Sequence, residues 1–266
     1  MIRRGVTVFF LCTVLLLTAG MSSAQHMPGP WPVTEILNRA GVRFYEKADH
    51  AHAAVLFRKA LEADERTGRP AGLLRAQVLH NLATALFYRG ESVSAEFFFH
   101  EALAVRERIL GKDHPDVAQT LSNRGILYLF DRRYEKAEED FLRAYAMRAR
   151  TLGAVHPETA RVLHNLGELY RKQGKSEKAL EFHERALTIR RQDPTAGPDL
   201  GGSYHNIGRV YQERGQLPEA ADHYRKALAV FRRCAAKDHL YVRVTASRLY
   251  RVTDGKEGFP GCDCIR

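Results

Sequence analysis

From Val33 onward apolar residues recur every three to four positions, and no stretch alternates apolar and polar residues for long enough to suggest a strand. The mature chain is therefore expected to be helical throughout. A second, longer rhythm lies over the first. Gly41, Phe44, Ala53, Phe57 and Ala60 recur 42 residues on as Ala83, Leu86, Ala95, Phe99 and Ala102. The set returns as Gly125, Tyr128, Ala137, Phe141 and Ala144, and again as Gly167, Tyr170, Ala179, His183 and Ala186. A fifth set, Gly208, Tyr211, Ala220, Tyr224 and Ala227, follows after 41. Small residues at the first and third places let two antiparallel helices approach closely, and the aromatic places fill the space between them. Each such pair exposes an apolar face that only a neighbour can cover, so several must stack.

The punctuation agrees with this division. Arg89-Gly90-Glu91, Asp131-Arg132-Arg133, Gln173-Gly174-Lys175 and Arg214-Gly215-Gln216 separate the two helices of a pair, with glycine in three of the four. His114-Pro115 and His156-Pro157 join successive pairs, placing proline where a helix begins and its missing N–H costs nothing. Residues 33–235 form the repeat array, and a single helix within 236–253 is expected to cap it. Residues 25–32, with three prolines and a glycine, form an irregular lead-in, and 254–266 a cysteine-containing tail.

The N-terminus changes the picture of where the chain works. Arg3 and Arg4 precede an apolar run from Val6 to Leu17, and Ser22-Ser23-Ala24 offers a small-residue exit. This is the pattern of a secretory signal peptide over residues 1–24, too short in its apolar core for a spanning helix. Cleavage would export the chain to the periplasm or the exterior. The alternative is an uncleaved anchor, the only route by which a membrane becomes a partner. Removal of Arg3 and Arg4 lowers the formal charge from +10 to +8. Acidic residues are interspersed throughout and no Lys/Arg block exceeds three residues, so nucleic acid is not the expected partner. After export three cysteines remain, Cys234, Cys262 and Cys264. A disulfide from Cys234 to one of the terminal pair, free thiols, and a zinc site completed by His239 all stay open.

The repeated Leu121-Ser122-Asn123-Arg124-Gly125, Leu163-His164-Asn165-Leu166-Gly167 and Tyr204-His205-Asn206-Ile207-Gly208, each with Tyr three residues after the glycine, resemble tetratricopeptide repeats. The 42-residue period and the Leu-Gly-x-x-His-Pro joint resemble the kinesin-light-chain-type subclass over about residues 33–235. The resemblance implies an all-α, right-handed α-solenoid of about five helix-turn-helix units plus a capping helix. It also implies a protein or peptide partner held on the concave surface, without catalysis or cofactor. Asn81, Asn123, Asn165 and Asn206 share one place on successive first helices, and in similar proteins that place binds the backbone of an extended peptide. A carboxamide both donates and accepts, which suits a peptide bond. Each asparagine could instead satisfy a neighbouring helix.

His80, Ser122, His164 and His205 stand one position earlier, about 10 Å apart on adjacent helices, as groove-lining residues and not metal ligands. Arg171 and Lys172 occupy the places of Leu129 and Phe130, so the groove is expected to run from apolar to basic. The carboxylate clamp of chaperone-binding relatives would fall on His80, Thr84, Asn123, Arg161 and Asn165, where only one place matches. No H-E-x-x-H, G-x-S-x-G, Walker or dinucleotide motif is present, so no enzymatic constellation is expected. A second expectation is structural: an assembly subunit docking through its convex or terminal surface, suggested by Phe97-Phe98-Phe99.

Overall fold

The computed structural model describes residues 31–68, 70–234 and 240–255. The signal segment, most of the lead-in, the 235–239 joint, and the tail with Cys262 and Cys264 lie outside them. The proposed pairing of Cys234 with that tail and the zinc alternative therefore fall outside as well; Cys234 itself is an exposed free thiol.

Eleven helices follow one another among the described residues: α1 Trp31–Glu46, α2 His50–Glu65, α3 Leu73–Tyr88, α4 Ser92–Leu110, α5 Pro115–Phe130, α6 Tyr134–Thr151, α7 Pro157–Lys172, α8 Ser176–Gln192, α9 Gly197–Glu213, α10 Leu217–Cys234 and α11 Leu240–Val252. They form five antiparallel pairs and a closing helix, an all-α solenoid. Helix α1 starts at Trp31, inside the stretch expected to be irregular, because Pro32 is tolerated in a first helical turn.

Pairing follows from the small residues. All ten repeat alanines, Ala53, Ala95, Ala137, Ala179 and Ala220 and then Ala60, Ala102, Ala144, Ala186 and Ala227, are wholly buried. A Cβ added at Gly41 would lie 2.5 Å from Phe57, and one at Gly125 2.6 Å from Phe141, so the ring of each second helix rests on the bare backbone of the first. Each turn within a pair closes a Schellman motif. In the second, Glu91 N–H donates to Leu86 C=O at 3.0 Å and Gly90 N–H to Phe87 C=O at 2.9 Å. Gly90, Gly174 and Gly215 take φ of +80°, +73° and +75° there, while Ala48 and Arg132 hold φ of 58° and 59° without the freedom of glycine.

Joints between pairs use a recurring buried arginine. Arg106 donates to the Asp116 carbonyl and the Thr120 hydroxyl, both at 2.7 Å. Arg148 reaches the Glu158 carbonyl at 2.8 Å, and Arg190 the Ser203 hydroxyl at 2.7 Å. At His114-Pro115 and His156-Pro157 the imidazole Nδ1 caps the new helix, accepting from Asp116 N–H and Glu158 N–H at 3.1 Å. Each helix packs on the next, and the first helices of successive pairs also touch one another. Contacts among second helices are weaker, so α1, α3, α5, α7 and α9 form the inner wall of the curve.

Candidate functional site

The asparagine column lies on that inner wall and is built as a ladder. Asn81 Nδ2–H donates to Asn38 Oδ1 at 3.0 Å, Asn123 Nδ2–H to His80 Nε2 at 3.1 Å, and Asn206 Nδ2 lies 3.4 Å from the His164 ring nitrogens. Every rung joins the carboxamide of one first helix to the residue one place earlier on the preceding first helix. His205 Nδ1 continues the series to Thr245 Oγ1 of α11 at 2.8 Å. The histidines expected to line the groove are thus rungs. Burial pulls the His80 and His164 pKa values down to about 3 and His205 to about 4, so all three are neutral.

One rung is missing. The residue preceding Asn165 in the pattern is Ser122, too short to reach it, and its hydroxyl turns back to the Ala118 carbonyl at 2.8 Å. The Asn165 side chain makes no hydrogen bond among the described residues. Its carboxamide keeps two N–H donors and a carbonyl, whereas Asn81 and Asn123 each keep one N–H and the carbonyl.

The side chains three and seven residues after each asparagine share its face. They read Thr84 and Tyr88, then Ile126 and Phe130, then Glu168 and Lys172, then Arg209 and Glu213. The inner wall passes from apolar and aromatic to charged along the array. Its charged half is mixed and not simply basic. Arg171 bonds Glu168 at 3.1 Å and Glu213 at 2.6 Å, which neutralises the positive charge the sequence places there. Burial opposes ionisation of Glu168, but the His183 ring, Arg171 and Arg209 outweigh it and hold the carboxyl well below its usual range.

A cavity of about 440 Å³ opens beside Asn165, between α7, α9 and α11. Arg161, Asn165, Arg190 and Arg209 form its polar side, and Phe231 and Val244 belong to its apolar side. It is roomy because Gly202 stands where the earlier units carry Gln77, Gln119 and Arg161; a Cβ built on Gly202 meets nothing within 4 Å. Arg209 is incompletely paired. Its Nε is buried without a partner, and Nη1 has only long bonds of 3.3 Å to Asn206 and 3.4 Å to Glu168.

Among the described residues no group of three metal-ligating side chains converges, and no helix is long and apolar enough to cross a membrane. The five positions tested for a carboxylate clamp do not converge on one ligand either: His80 is buried in a rung, Thr84 bonds back to the His80 carbonyl, and Arg161 pairs with Glu158 at 3.0 Å. Sequence reasoning missed three features here: the rung geometry, the cavity wall supplied by α11, and the arginines at 106, 148 and 190. The last carried a visible signal, an arginine recurring at the repeat period.

Comparison with known proteins places this geometry. Tetratricopeptide repeat models match residues 74–149, 129–192 and 200–241. None of the curated proteins compared with the chain matches it. Among solved structures, BtubC (BKLC) from P. vanneervenii is 22% identical, with a TM-score of 0.62 over 88% of this chain and 85% of its own. A putative kinesin light chain from Podosopora anserina is 22% identical, with a TM-score of 0.66 over 79% and 99%. Aspartyl phosphate phosphatase F from Bacillus subtilis, 17% identical, aligns with a TM-score of 0.73 over 85% of this chain and 57% of its own. These likenesses are of fold. The repeat matches and the stacked helix pairs together show that the chain belongs to the tetratricopeptide repeat family, whose members serve as protein-interaction scaffolds.

Proposed function

We propose that the inner wall holds an extended segment of another protein, without catalysis, anchored at Asn165. The observation that carries this reading is the missing rung. Asn81, Asn123 and Asn206 spend a donor on the solenoid itself, while Asn165 offers a whole carboxamide beside a cavity and an incompletely paired Arg209. A backbone peptide group can both donate to and accept from one carboxamide. The adjacent cavity is of the size that takes one or two side chains of the bound segment. Residues 3–24 support placing this activity outside the cytoplasm, which N-terminal sequencing of the exported protein checks.

The test is affinity capture from an envelope fraction with the wild-type chain and Asn165→Ala. Loss of one or two hydrogen bonds to a desolvated segment should weaken capture about tenfold. The melting temperature should not move, since the Asn165 side chain bonds nothing among the described residues of the solenoid. Undiminished capture by the variant would remove Asn165 from the site.

A second reading has its own observation. Of the three consecutive phenylalanines, Phe99 is buried and Phe98 packs against the core, but Phe97 is 59% exposed beside Val93 at 86%. We infer from these side chains an outer docking point for an assembly partner. Phe97→Ser should reduce the size of the native complex by gel filtration of the envelope extract; an unchanged complex counts against it.

A further inference from the structure

The cavity beside Asn165 has two unlike walls, and the cationic one is short of negative charge. Arg161 pairs with Glu158 at 3.0 Å, and Arg190 has the Asp199 carboxylate near it. Arg209 has no carboxylate of its own. The charged groups around it are Glu168, Glu213, Arg171 and Arg248. Arg171 takes both carboxylates, at 3.1 Å and 2.6 Å, and leaves Arg209 a long bond of 3.4 Å to Glu168. Three guanidiniums thus share two carboxylates, an excess of one positive charge. The Nε atoms of Arg209 and Arg248 are both buried without a partner. The first turns of α9 and α11 also border the cavity, at Asp199 and Tyr241, and bring two positive helix ends to it. The other wall is apolar, made by Phe231, Leu240, Tyr241 and Val244. Phe231 stacks on Tyr241 at 5.6 Å, and Leu240 and Tyr241 are 66% and 55% exposed.

We propose that this cavity reads an acidic residue of the bound segment together with a large apolar residue next to it. The proposal rests on the inner wall being the binding face and names what the segment carries beside Asn165. The carboxylate supplies the missing negative charge and matches the guanidinium fork of Arg209. A phosphate, with close to two charges at neutral pH, would reverse the excess instead of cancelling it. An apolar residue alone would strand Arg209 out of water, and an acidic residue alone would leave the apolar wall uncovered. When the backbone lies along the asparagines, it is side chains that enter the cavity, so the carboxylate is that of Asp or Glu.

The test is isothermal titration of the full chain with the peptide acetyl-Gly-Gly-Glu-Leu-Gly-Gly-amide. Replacing its Glu by Gln should weaken binding about tenfold, and replacing its Leu by Ala should also weaken it. Arg209→Gln should erase the difference between the Glu and Gln peptides. Gly202→Gln copies Gln77 and Gln119 of earlier units at a place where a Cβ meets nothing within 4 Å, so it keeps the fold while filling the cavity. It should lower affinity for the Glu-Leu peptide about tenfold.

No binding at millimolar concentration, equal affinity for the Glu and Gln peptides, or binding indifferent to Gly202→Gln overturns the proposal. So does displacement of the peptide by inorganic phosphate more readily than by acetate. A Gln-Leu peptide ending in a free carboxylate that binds as well as the Glu-Leu amide overturns the side-chain assignment. Equal affinity for the Glu and Gln peptides with capture still dependent on Asn165 overturns only the acidic reading. A Glu preference that needs Arg209, with capture indifferent to Asn165, overturns only the Asn165 anchor.

Discussion

His80 makes the stability of the array depend on pH. Its ring is buried, accepts from Asn123, and is held to a pKa of about 3 by burial, with Arg106 adding to the effect. In the unfolded chain the same group titrates near 6.5. Below about pH 6.5 the unfolded chain thus takes up a proton that the folded one refuses until about pH 3. Stability is whole above this window and is lost as pH falls through it. For one such group the loss between pH 7 and pH 5 integrates to about 2 kcal/mol, a sizeable part of the 5–15 kcal/mol typical of a domain. The interval stops at pH 5 so that carboxylates such as Glu96, held near 2 first by its bond from Arg133, remain ionised in both states. His164 and His205 act in the same direction. Urea unfolding of the wild type and of His80→Gln at the two pH values isolates the His80 share. The wild type should lose about 2 kcal/mol more than the variant. Equal losses would mean that His80 is protonated in the folded chain and that the rung is not as described.

Other perturbations probe other links. Arg124 and Asp140 form a buried two-bond pair, both at 2.8 Å, so Asp140→Ala should cost about 3–5 kcal/mol by stranding the guanidinium. The double change Arg124→Leu with Asp140→Phe installs what the next unit carries as Leu166 and Phe182; it should be neutral or stabilising, as read from urea midpoints. Arg132→Gly should raise stability by about 0.5–1 kcal/mol, because three sister turns already use glycine at that left-handed position; a lower melting temperature would contradict it.

The repeat positions were legible because they answer to one requirement, the close approach of two helices. That is why the repeat alone assigns Gly125 and Ala144 to packing. The turn after α5 was legible in place, although Arg132 breaks the glycine rule, because the flanking pattern restarts at Tyr134. The candidate site was legible only as a column. The fate of each asparagine depends on the length of the side chain one unit earlier, Asn38, His80, Ser122 or His164, and that cross-unit relation is not visible along a single helix. Arg171 misled for a similar reason: its neutralising partner Glu213 lies on the next first helix, 42 residues away.

The joints also write an order into an array of similar parts. Arg106, Arg148 and Arg190 project forward from a second helix to a backbone carbonyl of the unit that follows. At the first joint the polarity is reversed. Asp64 stands at the corresponding place, and it and Glu65 accept from Arg75 of the following helix, at 3.2 Å and 2.8 Å. A duplication of the segment from Pro115 to His156 would carry a donor at its end and a matching carbonyl at its start, and could be inserted beside itself. The first unit could not be moved inward, since its carboxylate would then face a carbonyl. Growth of this solenoid by copying is open in its middle and closed at its beginning.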